Sequence, residues 1–486
     1  MKDTTTAELP LAYDEPGEKP KAETENQASA PQGASEVNQE NMEASQEEGG
    51  NSNSSRRPRR GSKGRRGKQS SEGGDRGERN RSDSQNPQQQ KSENAHRRER
   101  RKRKKRERKK DVPTGPPVEG EGLLEISAKG FGFLRQASTG FQQAPDDIFV
   151  TPELVRSYGL RDGMWVKCMS RTGNRGPQLS ELIEICGKKP EECLDLPYFE
   201  ELTAINPNKR IILETGKENL TTRVVDLVTP VGFGQRGLIV APPRTGKTTL
   251  IQKMAESVHH NHDYVKIFVL LIDERPEEVT ELKRSLPFAE VMASSNDQDV
   301  KSHTRIAELA IERAKRLVEA GEHVFLLLDS ITRLARSFNN ATKGGKGKGI
   351  SRGGLAIGAL EIPRRLFAAA RNTREAGSLT IIGTALVQTN SAMDEAIFQE
   401  FKGTGNMELV LDRRIAEQYI WPAVNIHASG TRREELLVPK HQLEKSYVIR
   451  RGLAGHKPTE AIERLLSLME KFPNNAQMLM EIKSSA

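Results

Sequence analysis

Two rhythms of apolar residues divide the chain. Between about Val118 and Gly187 they come in short bursts, "LLEIS", "FGFLR", "DIFV", "MWVKCMS" and "LSELIEI", broken by Gly, Pro, Asn and Asp. Five short strands with this punctuation predict a small β-barrel. After Ile211 the runs lengthen. "LIVAP", "IFVLLID", "VFLLLD", "LTIIGTALV" and "MELVLD" are almost continuously apolar, as strands covered on both faces must be. Stretches of helical period such as "RIAELAIERAKRLVEAG" lie between them, so this part is predicted to be a parallel α/β domain. The segment "GKKPEECLDLPYFEELTAINPNKR" reads as a linker with helical turns. These patterns predict a barrel over 118–190, a linker over 191–215 and an α/β domain over 216–486.

Before Val118 neither rhythm is present. Met1 to Gly50 is acidic, and Asn51 to Lys110 is rich in Ser, Gly, Asn, Gln and Arg and ends in "HRRERRKRKKRERKK". Such composition cannot bury enough apolar surface to offset chain entropy, so residues 1–115 are expected to be a disordered tail. The formal net charge of +9 favours a polyanionic partner. The three cysteines, Cys168, Cys186 and Cys193, form no C-x-x-C pair, which argues against a disulfide framework or a zinc site and fits a reducing cytoplasm. The N-terminus has no charged-then-apolar signal pattern, and no apolar run approaches the roughly 18 residues of a membrane span.

Chemistry enters with "GLIVAPPRTGKTTLIQKM". Ala241 to Thr248, "APPRTGKT", fits the phosphate-loop pattern G-x-x-x-x-G-K-[ST] except that Ala241 replaces the first glycine. A strand before it and a helix after it would aim backbone N–H groups at the phosphates of ATP. Lys247 would reach the β- and γ-phosphates, and the Thr248 hydroxyl would ligate Mg²⁺. Asp329, closing "HVFLLLDS", is the expected second Mg²⁺ position at a strand tip beside the loop. "IFVLLIDERPEEV" puts Asp273, Glu274 and Arg275 at the end of another strand, where ligands of open α/β sheets gather. Glu274 is the candidate for polarising the attacking water. A carboxylate there is typical of RecA-like ATPases, whose sites are often completed by a neighbouring subunit's arginine; "ASGTRREELLV" offers Arg432 and Arg433.

With these segments "LEISAKGFGFLR", "PDDIFV", "LLIDERPEEVTE", "LLDSITRLAR", "MDEAIFQEFKGTGNMEL" and "SGTRREELL", the chain from about residue 118 onward resembles the bacterial transcription termination factor Rho family. The resemblance implies a homohexameric, RNA-dependent ATPase that translocates along transcripts and dissociates RNA polymerase. It implies an OB-fold, cold-shock-like barrel that binds single-stranded, pyrimidine-rich RNA. Gly130, Phe131, Gly132, Phe133, Leu134 and Arg135, with Asp147, Ile148 and Phe149, match the family's RNA-binding motif. Phe131 and Phe133 alternate along one strand, so both rings are expected on one face, where each stacked base contributes about 1–3 kcal/mol.

The resemblance further assigns nucleotide contacts to the turn Gly232, Phe233, Gly234, Gln235, Arg236 and Gly237. It assigns others to the loop residues Arg244, Thr245, Gly246, Lys247, Thr248 and Thr249, to Arg275, and to Trp421 against adenine. Central RNA contacts are implied at Leu355, Ala356, Ile357, Gly358 and Ala359, near Ala392, and at Lys402. The sequence also departs from the family. Ala392 stands where a Lys or Arg is often found, and Tyr419 where an arginine is common. Asn174, Arg175 and Gly176 match the third barrel contact segment poorly, and the family's small helical bundle ahead of the barrel is not recognisable. Two other readings of the residues are a rotary-type ATPase subunit and a passive RNA-binding protein. The base-stacking barrel argues against the first and the intact ATPase residues against the second.

Overall fold

The structure, a computed structural model, describes residues 115–173, 176–343, 349 and 353–483; all but the last residue of the expected tail lies outside them, as do Asn174 and Arg175. Strands β1 (Pro117–Ile126), β2 (Gly132–Arg135), β3 (Ile148–Val150), β4 (Trp165–Gly173) and β5 (Gly176–Ile185) close a barrel in the order β1-β2-β3-β5-β4. Strand alternation selects its core: Leu124, Leu134, Ile148, Val150, Val166, Cys168, Leu179 and Ile185 point inward. Burial pushes the Cys168 thiol up to about 12, so it acts as a packing residue rather than a nucleophile.

The second domain is a parallel sheet with short antiparallel additions. Its strands are β6 (Ala204–Ile205), β7 (Arg210–Ile211), β8 (Val231–Gly232), β9 (Arg236–Ala241), β10 (Val265–Glu274), β11 (Glu290–Ser295), β12 (His323–Asp329), β13 (Arg371–Thr373), β14 (Ser378–Leu386), β15 (Met407–Val410) and β16 (Gly430–Thr431). The main order is β11-β10-β12-β14-β9-β15-β16, with β16 antiparallel at one edge and β7 pairing with β8 apart from it. Alternation along β10 splits the burial between the two faces. Val269 and Leu271 join the core under the helices Leu220–Val228 and Lys247–Asn261, and Phe268, Leu270 and Ile272 join the core under Val300–Glu319 and Ile331–Lys343.

Two sequence expectations need correcting. Strand β11, "EVMASS", was not anticipated because it is a half-buried edge strand with no apolar run. The expected linker is not a spacer: Phe199 is fully buried and β6 pairs with β13, which tie this segment into the α/β domain. The barrel rests on the helix Val300–Glu319. Gly163 makes this possible, because with φ +80° a Cβ there would lie 2.4 Å from the Arg313 backbone nitrogen.

Candidate functional site at two edges of one sheet

Strand β9 ends in the phosphate loop. Arg244 and Gly246 both adopt positive φ, 64° and 76°, and turn the chain sharply into the helix Lys247–Asn261. That helix starts with no side-chain cap and no acidic residue in its first turn, so its free N–H groups and positive dipole end face the loop. Thr245 braces the curve by donating its hydroxyl to the Pro242 carbonyl at 2.7 Å. A Cβ on Gly246 would lie 2.7 Å from the Trp421 ring, so the half-exposed indole sits directly against the loop. Thr248 and Thr249 lie in the helix's first turn, and the Arg244 side chain is exposed.

The carboxylates arrive from neighbouring strand ends. Lys247 Nζ lies 2.5 Å from Asp329 Oδ1, at the tip of β12, and 3.3 Å from Glu274 Oε1, at the tip of β10. Simple alternation would turn Glu274 and Asp273 to opposite faces. Here the register also shifts between Ile272 and Glu274, Asp273 takes φ +58°, and Glu274 is 3 % exposed. Burial raises the Glu274 pKa, and the Asp329 carboxylate adds to the rise. Lys247 and Arg333 oppose it.

Two residues of this cluster were missed in the sequence. Arg333 Nη2 lies 3.3 Å from Glu274 Oε2, and Arg333 Nη1 donates to the Asp273 carbonyl. Thr384, on β14, donates to Asp329 Oδ1 at 2.7 Å. Arg333 stands four residues after Asp329, one helical turn into the next element. That spacing was the available signal. Arg275 is largely exposed and, among the described residues, pairs with Glu278 at 3.4 Å.

A nucleotide triphosphate fits this edge: the loop offers backbone donors and a lysine, and the Trp421 ring lies beside it. Among the described residues no cluster of three or more His, Cys, Asp or Glu could hold a metal. The donors here, the Thr248 hydroxyl and the Asp329 carboxylate, suit Mg²⁺ shared with phosphate oxygens.

The turn Gly232–Gly237 lies elsewhere. It runs into the first residues of β9, so the strand's length, roughly 15–20 Å, separates it from the loop that follows. Its residues are packed. Gly234 has φ +86° and a Cβ there would lie 2.1 Å from Asn372 N, the Phe233 ring is buried, and Gln235 Nε2 donates to Asn406 Oδ1 at 2.7 Å. Gly232 and Gly237 are hemmed by Leu437 and by Ile382 and Met407. The expectation that Gly232, Phe233, Gly234, Gln235, Arg236 and Gly237 touch the nucleotide is therefore corrected for this chain's own loop, which sits at the opposite edge.

Arg432 belongs to that same far edge. Thr431 on β16 pairs with Met407, which pairs with Gly237 at the start of β9, and the Arg432 N–H donates to the Asn406 carbonyl at 2.9 Å. The Arg432 side chain is exposed. It is close enough to Arg236 that, after burial and Arg371, it helps to lower the Arg236 pKa. Arg433 is engaged with Glu435 at 2.5 Å.

On the barrel, Phe131, Phe133 and Phe149 form one half-exposed aromatic cluster with ring centroids 5.6–5.8 Å apart. Gly130 takes φ +81° with open space around it, and Gly132 packs on Leu124. The Leu134 and Ile148 side chains are in the barrel core, which leaves only their backbone to face RNA. Arg135 and Asp147 are also largely buried and paired with each other, with Arg135 lying 5.0 Å from the Phe133 ring centroid. Gly176 closes the turn into β5 at φ +115°.

The central segments meet. A Cβ on Gly353 would lie 3.4 Å from the Ala392 carbonyl, and Ala392 is exposed. Ile357 and Gly358 project outward, at φ +79° for Gly358, over a cleft of about 780 Å³. Leu355, Ala356 and Ala359 are mostly buried and line the same cleft. Lys402 is half-exposed, 3.7 Å from Glu408.

A parallel sheet with a phosphate loop at its carboxyl edge, preceded by a small barrel with an aromatic face, defines a P-loop ATPase joined to an oligonucleotide-binding module. The comparisons agree on both parts. Residues 221–431 match the ATP synthase alpha/beta family, nucleotide-binding domain, and residues 120–191 match the Rho termination factor, RNA-binding domain. A solved ATPase of a bacterial type III secretion system shares the fold, with TM-score 0.50 and 22% identity over 58% of this chain and 87% of that one. Transcription termination factor Rho of Pseudomonas aeruginosa is 46% identical over 77% of this chain and 90% of its own length. That of Escherichia coli is 45% identical over 78% and 91%. The chain belongs to the transcription termination factor Rho family.

Proposed function

We propose that this chain works in the cytoplasm as an ATP-driven RNA translocase and helicase. It engages nascent single-stranded RNA, pyrimidine-rich by preference, and displaces RNA polymerase to end transcription, acting as a ring of six copies. The observation that carries this reading is the union in one chain of the Lys247–Asp329–Glu274 cluster and an outward aromatic triad on a barrel.

In this reading the loop N–H groups and Lys247 hold the phosphates, and Trp421 forms a shelf for adenine. Lys247 has three donors, so it can keep both carboxylates aligned and still reach a phosphate oxygen. Thr248 and Asp329 would hold Mg²⁺, which would neutralise charge on the phosphates. Glu274, held by Lys247 and Arg333, orients the attacking water and takes its proton. Arg432 serves the nucleotide of the next copy in the ring, as do any nucleotide contacts made by Gly232–Gly237. On the barrel, Phe131 and Phe133 stack bases beside the Arg135–Asp147 pair, while Ile357, Gly358 and Lys402 face RNA in the ring's centre. ATP hydrolysis with and without polycytidylate tests the reading. RNA-stimulated turnover is expected. RNA-independent turnover would instead match a rotary-type subunit, and no turnover a passive RNA binder.

A further inference from the structure

The barrel and the ATPase domain share one carboxylate. Glu125 Oε2, on β1, accepts from Arg135 Nε at 2.5 Å and from Arg305 Nη1 at 3.0 Å. Arg135 is the residue that lies over the Phe133 ring. Arg305 belongs to the helix Val300–Glu319, on the ATPase side. One oxygen with two lone pairs accepts from both guanidinium groups at once, so it links Arg135 directly to Arg305.

From Arg305 the polar contacts run on without a break. Its Nη2 donates to the Phe141 carbonyl at 2.7 Å and to Gln142 Oε1 at 3.3 Å. Gln142 donates to Gln298 and accepts from Ser302, both at 3.3 Å. Gln298 and Ser302 meet the Ser294 hydroxyl at 2.8 and 3.0 Å. The next residue, Ser295, is the strand partner of Glu274, and the Asn296 N–H donates to the Glu274 carbonyl at 2.9 Å. The path therefore joins the aromatic face to the backbone of the carboxylate at the phosphate loop. Arg305 and Glu125 are 17 and 20 % exposed, so water screens their pairing only in part.

The barrel is also held down outside this path, at the other half of the same helix: Gly163 lies against Arg313, and Arg161 pairs with Glu319 at 3.3 Å.

We propose that Arg305, acting through Glu125, is a positioning residue that couples occupancy of the aromatic face to the placement of Glu274. The inference rests on the reading that this face binds RNA. A base stacked on Phe133 competes for Arg135. As Arg135 turns toward it, Glu125 passes to Arg305, and the Gln142–Ser302–Ser294 contacts carry the shift to the end of β10.

Coupling of this kind is reciprocal, so it is measurable as binding. The measurement is the affinity for a short labelled cytidylate oligomer, with and without a non-hydrolysable ATP analogue and Mg²⁺. Only the binding removed by Phe131→Ala with Phe133→Ala is counted. In the unaltered chain the analogue shifts this affinity by about 5-fold or more. Arg305→Gln and the near-isosteric Glu125→Gln each bring the ratio close to one, with thermal melting and affinity for the analogue alone unchanged. The double variant adds nothing to either single change, because both cut one path. Arg305→Lys keeps part of the ratio. A ratio of one in the unaltered chain, or a full ratio in the folded Arg305→Gln or Glu125→Gln protein, overturns the proposal. If the two Phe substitutions leave oligomer binding intact, the RNA reading of the barrel fails first, and the proposal with it.

Discussion

The two edges of the central sheet are opposites. At the carboxyl edge Lys247, Glu274, Asp329, Arg333 and Thr384 converge, and their charges neutralise one another within a few ångströms. At the amino edge Arg432 stands exposed, and with Arg371 it adds to the burial that lowers the Arg236 pKa. One edge is a balanced site that receives a polyanion, and the other an unbalanced cluster that would be relieved by one. No bend of a single chain brings them together across the length of β9. In the proposed ring of copies, packed head to tail, each interface would do so. On the proposed reading, the contrast explains how a chain can carry both halves of a catalytic site and still need a second copy.

Substitutions at the two edges should separate accordingly. The largest effect is expected at the loop. Lys247→Ala abolishes ATP hydrolysis while short RNA still binds the barrel, because positioning and charge stabilisation of the phosphoryl group both depend on this lysine. Near-normal RNA-stimulated turnover would remove the loop from the site. At the far edge, Arg432→Ala should lower kcat by about 10³–10⁵-fold, the usual range for an arginine supplied to phosphoryl transfer, with nucleotide affinity of the isolated chain unchanged. Full activity of this variant would make Arg433 the next residue to test.

Glu274→Gln follows, with turnover about 10²–10⁴-fold slower and ATP binding retained, as for loss of a general base. Its raised pKa adds a pH signature. The ionised form is the active one, so activity should fall on acidification at a pH above the ordinary glutamate value of 4.5, and this limb should vanish in Glu274→Gln. A limb that persists in the variant would assign the titration to another group. The smallest change in turnover belongs to the barrel. Phe131→Ala with Phe133→Ala should weaken single-stranded RNA binding by about 2–6 kcal/mol, two stacked bases' worth, and leave turnover without RNA as it was. A lower melting temperature with unaltered RNA affinity would show that the rings serve the barrel's packing.

The carboxyl edge was legible in the sequence because its chemistry is local. "RTGKT" fixes backbone and side chain within one turn, and Asp329 and Glu274 each close an apolar run that could only be a buried strand. Arg333 and Thr384 escaped because only the strand order β10-β12-β14 brings them to Asp273, Glu274 and Asp329. The Asp273 bulge escaped for a related reason: it is a property of the pairing with β11, an edge strand with no apolar signature. On the barrel, alternation correctly set Phe131 and Phe133 on one face. The same alternation sends Leu134 inward, and matching the motif as a continuous block had overlooked that. The turn Gly232–Gly237 shows the opposite limit. Its glycines resemble a ligand loop, yet here close packing against Asn372, Leu437 and Ile382 is enough to require them.

The most direct test of the two-edge account mixes copies broken at different edges. Lys247→Ala chains have an intact Arg432, and Arg432→Ala chains an intact phosphate loop; each alone should be inactive. In mixed rings some interfaces join a sound loop to a sound arginine, so partial RNA-stimulated ATP hydrolysis should return and vary with the mixing ratio. If native mass spectrometry shows mixed rings and no ratio restores turnover, Arg432 does not act on its neighbour's nucleotide and the account of the two edges is contradicted.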